Sequence, residues 1–253
     1  MRAYQKAMKL FGGSAFSHGD RIEADGFPVR LSVNARARRV SLRIDRYRRE
    51  VVATAPSARR LPEAVAFARE KADWIAGQLA CLPTGQVLAP AMTITLFGEP
   101  VDLVEGAGRA RLTPATGPSR ACIRAPADAA FGDRVLRLVK TEARRWLTDR
   151  TEHYATTLGR PTPKVAITDP RGRWGSCRPA SPRAGASIRY SWRLALAPAA
   201  VADYVAAHEC AHLIEANHGP RFWAIVHDLV GDHSPHRAWL KREGAALHAF
   251  GRG

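Results

Sequence analysis

Within VAAHECAHLIEANHGPRFW, residues 205–223, His208 and His212 stand four apart, Glu209 follows the first, and His218 comes six residues after the second. Residues four apart on a helix share a face, with Cβ atoms roughly 5–6 Å apart, so two imidazoles can meet one cation at about 2.0–2.1 Å from each nitrogen. A tetrahedral ion needs two further ligands. Ile214, Glu215, Ala216 and Asn217 can end the helix and turn the chain back, which brings in His218 as a third ligand and leaves the fourth position to water. Glu209 can lean toward that water and take its proton. The chemistry implied is hydrolysis with one Zn2+ ion, Glu209 acting as general base. A closed structural zinc site would need a fourth protein ligand and would leave Glu209 without a task.

The elements that must position these groups read as follows. Val201, Ala202, Val205, Ala206, Ala207, Ala211, Leu213 and Ile214 make an apolar helix, with Pro198 just before it, where proline is tolerated. Phe222, Trp223, Ile225, Val226 and Leu229 recur at helical spacing as a second helix packed over the first, the two aromatics being core residues without a chemical role. Upstream, RGRWGSCRP (171–179) and SIRYSWRLALAP (187–198) read as a turn and a strand leading into the metal helix. Gly172 and Gly175 permit a tight or left-handed backbone, and Trp174 anchors the loop. As a rim of the cleft, this loop offers Trp174 and Ser176 as substrate contacts, with Arg171 or Arg173 near developing negative charge. Tyr190 and Ser191 are the other candidate donors to substrate or oxyanion, and Cys177 is an alternative zinc ligand as thiolate. The strand Ser187–Ser191 is expected to present an edge that captures extended polypeptide, with Arg189 and Arg193 adding attraction to acidic segments.

RWGSC, the strand with WRL, and YVAAHECAHLIEANHGPRFW occur in that order and resemble the YgjP-like metal-dependent hydrolases, similar in turn to the SprT and WLM groups of zincin proteases. The resemblance runs over roughly residues 20–240 and is densest over 165–240. It implies a zincin-like metallopeptidase core, zinc on His208, His212 and His218, and Glu209 as base. The family usually has Asn at the position of Ser191. The SprT and WLM groups are linked to repair of DNA–protein crosslinks, and this likeness to neighbouring groups suggests a nucleic-acid-associated polypeptide as an alternative to an unfolded polypeptide substrate.

Over the whole chain, FPVRLSV, RRVSLRI and VVATAP read as strands between residues 27 and 55, and 61–80 reads as one helix whose apolar contacts include Phe67 and Trp74. Short strands resume over 93–126, a long helix follows near 131–158, and VAITD is a strand. This order is α+β rather than a βαβ series. A β-rich N-terminal region with one helix, 1–128, is expected to precede a hydrolase core, 129–253, either as two regions or as one continuous domain, since no linker is polar or long enough to separate them, and no internal repeat is seen.

With 253 residues, 46% of them hydrophobic, the chain can bury one large core or two modest ones. No apolar run approaches the roughly 20 residues of a membrane span, and residues 1–20 lack a signal-peptide core. Cys81, Cys122, Cys177 and Cys210 are far apart without CxxC spacing, so a reducing, cytoplasmic setting is expected. The net charge of +16 would attract nucleic acid at low salt, but the arginines are spread along the whole chain, no zinc-finger, RRM or KH signature accompanies them, and a solvated surface is the leading reading. Peptide hydrolysis leads; hydrolysis of another amide or ester, and a basic nucleic-acid-associated protein with structural zinc, are the alternatives.

Overall fold

A computed structural model describes residues 16–45, 48–82, 87–170 and 172–251. Arg171 and the first fifteen residues lie outside these. The fold is α+β, with six α-helices and three sheets among the described residues, and its contacts divide it into two compact units, Met1–Pro83 and Thr84–Gly253.

In the first unit, ADGF closes a two-residue hairpin between β1 (Arg21–Ala24) and β2 (Phe27–Val33); Asp25 and Gly26 both take the positive φ that a type I′ turn demands. β3 (Ser41–Asp45) does not pair with β2. Instead β4 (Glu50–Ala55) inserts between them, parallel to β2 and antiparallel to β3, giving the order β1-β2-β4-β3. Val29, Leu31, Val51, Ala53 and Ala55 are fully buried and share a core with Leu61, Ala64, Val65 and Ala68. The single helix expected over 61–80 is two, α1 (Leu61–Glu70) and α2 (Ala72–Ala80), separated at Lys71. Ile75 takes the core position of α2, and Trp74 is 48% exposed rather than a core contact.

The second unit begins by repeating the first. β5 (Thr93–Leu96), β6 (Glu99–Glu105), β7 (Arg111–Thr113) and β8 (Ala121–Ala125) form a sheet of order β5-β6-β8-β7, with the same parallel and antiparallel pairings. The registers match. Val29, Leu31 and Val33 face Val51, Ala53 and Ala55; Val101, Leu103 and Glu105 face Ala121, Ile123 and Ala125. The hairpin tip recurs with positive φ at Phe97 and Gly98. The N–H of Asn34 bonds to the carbonyl of Ala55, and that of Gly106 to the carbonyl of Ala125. A helix then follows each, α1 from Leu61 and α3 (Phe131–Thr157) from Phe131. Two copies of one sheet-and-helix path are therefore present, contrary to the expectation of no repeat. Their shared sequence is little more than GFPVRL against GEPVDL, because a strand face asks only for apolar residues at every second position.

The boundary expected near 128 lies inside the second unit. Leu103 and Ile123 of the sheet share one core with Phe131, Val135 and Val139 of α3 and with Trp192 and Ala195, so the chain has no seam there. Beyond α3 comes a three-stranded sheet, β9 (Lys164–Thr168), β10 (Gly175–Arg178) and β11 (Ser187–Ser191), ordered β10-β11-β9. A 3-10 turn, Trp192–Leu196, leads to α4 (Ala199–Ala211), followed by α5 (Pro220–Val230) and α6 (Ser234–Ala249). No described helix is long and apolar enough to cross a membrane.

Candidate metal centre

α4 is an alanine-rich helix sunk in the core, with Val201, Ala202, Val205, Ala206, Ala207, Cys210 and Ala211 all buried. Cys210 behaves as the small buried hydrophobe its sequence setting implies. A polar line fixes α4 against α3. Asp203 accepts from the Tyr154 hydroxyl at 2.8 Å and pairs with Arg150, while the Thr151 and Tyr190 hydroxyls meet at 2.9 Å. The bonds to the charged Asp203 contribute about 1.5–3 kcal/mol each, and the neutral Thr151–Tyr190 bond, which ties α3 to β11, about 0.5–1.5 kcal/mol.

His208 sits in the last turn of α4 and His212 caps it; His218 arrives from the following turn. One ligand atom of each lies within 4.8 Å of the other two. The Nε2 atoms of His208 and His218 are 3.1 Å apart, close to the roughly 3.3 Å between two nitrogens on one tetrahedral zinc ion. Two ring nitrogens at that distance repel unless a proton or a cation lies between them. Burial, reinforced by His212 and His218, pushes the His208 pKa down to about 3, which holds the ring neutral, the form that offers a lone pair to a metal. His212 Nδ1 is 3.0 Å from the Glu215 carbonyl, an acceptor, so Nδ1 carries the hydrogen and Nε2 is left to ligate. The residues present therefore fit a zinc ion.

Phe222, fully buried, lies beneath all three imidazoles, with centroids 4.8, 4.5 and 4.6 Å from those of His208, His212 and His218. It was expected to be core alone; it is core, and it is also the floor that limits how the histidine rings turn. Trp223 stands at the side, 5.8 Å from His208 and from His218, and stacks on His233 at 4.8 Å. Arg237 of α6 covers the same indole at 4.7 Å.

Glu209 is 6% exposed, and burial raises its pKa to about 7 against the opposing pull of Arg173 and of a hydrogen bond from the Cys177 backbone N–H. Its neighbour is Gly175. A Cβ at that position would fall 2.5 Å from Glu209 Oε1, so only glycine lets the carboxyl lie against β10. Neither Gly172 nor Gly175 adopts positive φ, and close approach rather than a left-handed turn is the reason for Gly175. Trp174 does anchor the loop: it packs 4.8 Å from His248, and a Cβ at Gly244 would strike it at 2.9 Å.

The other expected site residues separate. Arg173 is exposed within electrostatic reach of Glu209, and Ser176 is half-buried in β10. Tyr190 is fully buried on Thr151, and Ser191 is fully buried with its Oγ accepting the Arg193 N–H, so both belong to the core and not to the cleft. Arg193 is also buried, paired with Asp169 at 2.7 Å. Cys177 is not among the clustered ligands, and burial pushes its thiol up to about 12, away from thiolate. β11 is the central strand and cannot capture a further strand; the outer positions belong to β10 and β9, and of these β10 carries the residues beside Glu209.

No curated protein and no solved structure matches the chain. Residues 38–243 match the YgjP-like, metallopeptidase domain. That span takes in the first copy from β3 onward, the second copy, the RWGSC loop and the histidine triad, so the chain belongs to the YgjP-like metallopeptidase-domain family, which makes it a metal-dependent hydrolase by kinship.

Proposed function

We propose that the chain is a zinc-dependent peptidase in which His208, His212 and His218 hold the ion and Glu209 moves the proton. The observation that carries this reading is the convergence of three imidazoles beside a buried carboxyl group pinned by the Cys177 N–H and accommodated by Gly175. A bound zinc ion would supply Lewis acidity, lowering the pKa of a coordinated water toward about 7. Glu209, itself raised to about 7, is matched to take a proton from water and return it to the leaving amine. Arg173, exposed beside Glu209, is the group positioned to meet developing negative charge.

The substrate is an extended polypeptide laid along β10. Trp174 accepts the Ser191 N–H across the sheet, so alternation turns the backbone groups of Gly175 and Cys177 to the outer edge, where the Cys177 N–H is taken by Glu209 and the Gly175 groups and the Cys177 carbonyl are left to meet a substrate strand. Main-chain pairing there would favour flexible over compact substrates, because a folded domain offers no unpaired strand without local unfolding. Digestion of a proteome-derived peptide mixture by the zinc-loaded protein and by Glu209→Gln is the test. Wild type should cut, and the variant should keep its zinc while losing about 10²–10⁴-fold in rate. A zinc-bound variant as active as wild type would remove Glu209 from the chemistry; a zinc-bound wild type that leaves peptides whole but cleaves model esters would move the substrate class to esters.

A further inference from the structure

Residues 34–49 contain seven arginines and one acidic residue, Asp45. Part of this charge is used inside the first unit: Arg48 lies 3.7 Å from Glu50, and Arg49 donates to the Leu79 and Leu82 carbonyls. Arg36, Arg38, Arg39 and Arg43 differ. All four are exposed, and none of their side chains has an ion pair or hydrogen bond among the described residues. They lie in the loop after β2 and on β3, the outer strand of its sheet.

The repeat supplies an internal control. The corresponding loop of the second copy, residues 106–110, leaves its strand through the matching backbone bond and holds one arginine, Arg109, and β7 adds only Arg111, two against the four of the first copy. Thr113 stands opposite Cys122 where Arg43 stands opposite Val52. The same path is therefore built without the cluster, and four like charges within eight residues repel one another. The fold does not account for them.

We propose that the 34–40 loop and β3 form a docking surface for the phosphate backbone of nucleic acid. Guanidinium groups match phosphate with paired N–H donors, and a polyphosphate chain supplies successive anions to a row of arginines. An anionic membrane fits less well. Val40, Leu42 and Ile44, the large apolar residues among the described part of the stretch, pack against the unit's core, so the described residues leave no large apolar side chain to enter a bilayer.

The test is the anisotropy of a short labelled DNA duplex titrated with the full chain between about 50 and 200 mM salt. In the quadruple variant Arg36→Ser, Arg38→Ser, Arg39→Ser, Arg43→Ser, the log–log salt slope should flatten by about 3 to 4, and affinity at the lowest salt should fall about 10²-fold. Lysines at the four positions should restore most of the slope, and circular dichroism should show both variants folded. A control removing equal charge, Arg109→Ser, Arg111→Ser, Arg160→Ser, Arg183→Ser, should leave the slope near wild type. The proposal is overturned if the first variant keeps the wild-type slope, if the control loses as much, or if phosphatidylserine vesicles bind through these arginines while the duplex does not.

Discussion

The two copies of the sheet-and-helix path have the same strand order, pairing and register, yet they do different work. In the second, the hairpin tip is built into the support of the metal helix. Phe97 donates its N–H to the Ala195 carbonyl at 2.7 Å and stacks on Trp146 at 4.5 Å, and Gly98 lies against Pro198 at the start of α4. In the first, the equivalent tip is open, with nothing within 4 Å of a Cβ at Gly26. The helices diverge likewise: α1 stops at Glu70, whereas α3 continues to Thr157 and carries Arg150, Thr151 and Tyr154 to α4 and β11. A repeated scaffold is thus turned to the site by what is added at its tip and its helix end, while the other copy is left free to carry arginines.

That contrast can be broken by substitution at the tips. Phe97→Ala removes a ring stacked between the hairpin and α3 and should cost about 2–4 kcal/mol, whereas Asp25→Ala at the equivalent exposed tip should cost about 1 kcal/mol or less. Urea denaturation of the two variants measures the difference; equal losses would mean that the second tip supports nothing the first does not.

A second contrast lies within the RWGSC loop. Gly175→Ala forces Glu209 from its place and should lower the hydrolytic rate about 10²-fold with zinc still bound, while Gly172→Ala, where a Cβ meets open space, should change little. A Gly175→Ala protein of wild-type rate would show that the position of the carboxyl against β10 is immaterial.

The smallest effect concerns pH. Metal-free Glu209 has a folded pKa of about 7, above its ordinary 4.5, so its burial penalty is absent at low pH and grows as pH rises through that window. Glu209→Gln removes the penalty. Wild type and variant should therefore be equally stable near pH 4, and the metal-free variant should be more stable above pH 7 by about 1–3 kcal/mol. Thermal melts in chelator across this range check the sign, and a less stable variant at high pH would contradict it.

What could be read from the sequence was local. His208, Glu209, His212 and His218 are legible because one helical turn and one reverse turn bring them together, and the aliphatic spacing of α4 and α5 follows the same short-range rule. What could not be read depended on contacts through space. Phe222 looks like any core aromatic until three rings rest on it, and Gly175 looks like a turn glycine until Glu209 is seen beside it. β11 reads as an edge because pairing order is not written in a strand's own residues, and α6, whose Gly244 and Arg237 touch the site's surroundings, lay beyond the expected elements. The repeat stayed hidden because register, not sequence, is what the copies share.

The proposed function requires His208, His212, His218 and Glu209 to form an open, catalytic metal site. Zinc-edge X-ray absorption on the purified, zinc-loaded protein tests it most directly, with His218→Ala alongside. One zinc per chain is expected, with three imidazole nitrogens at about 2.0–2.1 Å and one oxygen from solvent, and binding should weaken in the variant. A sulfur at about 2.3 Å, which would place Cys177 in a closed fourth position, or unchanged zinc binding without His218, would contradict it.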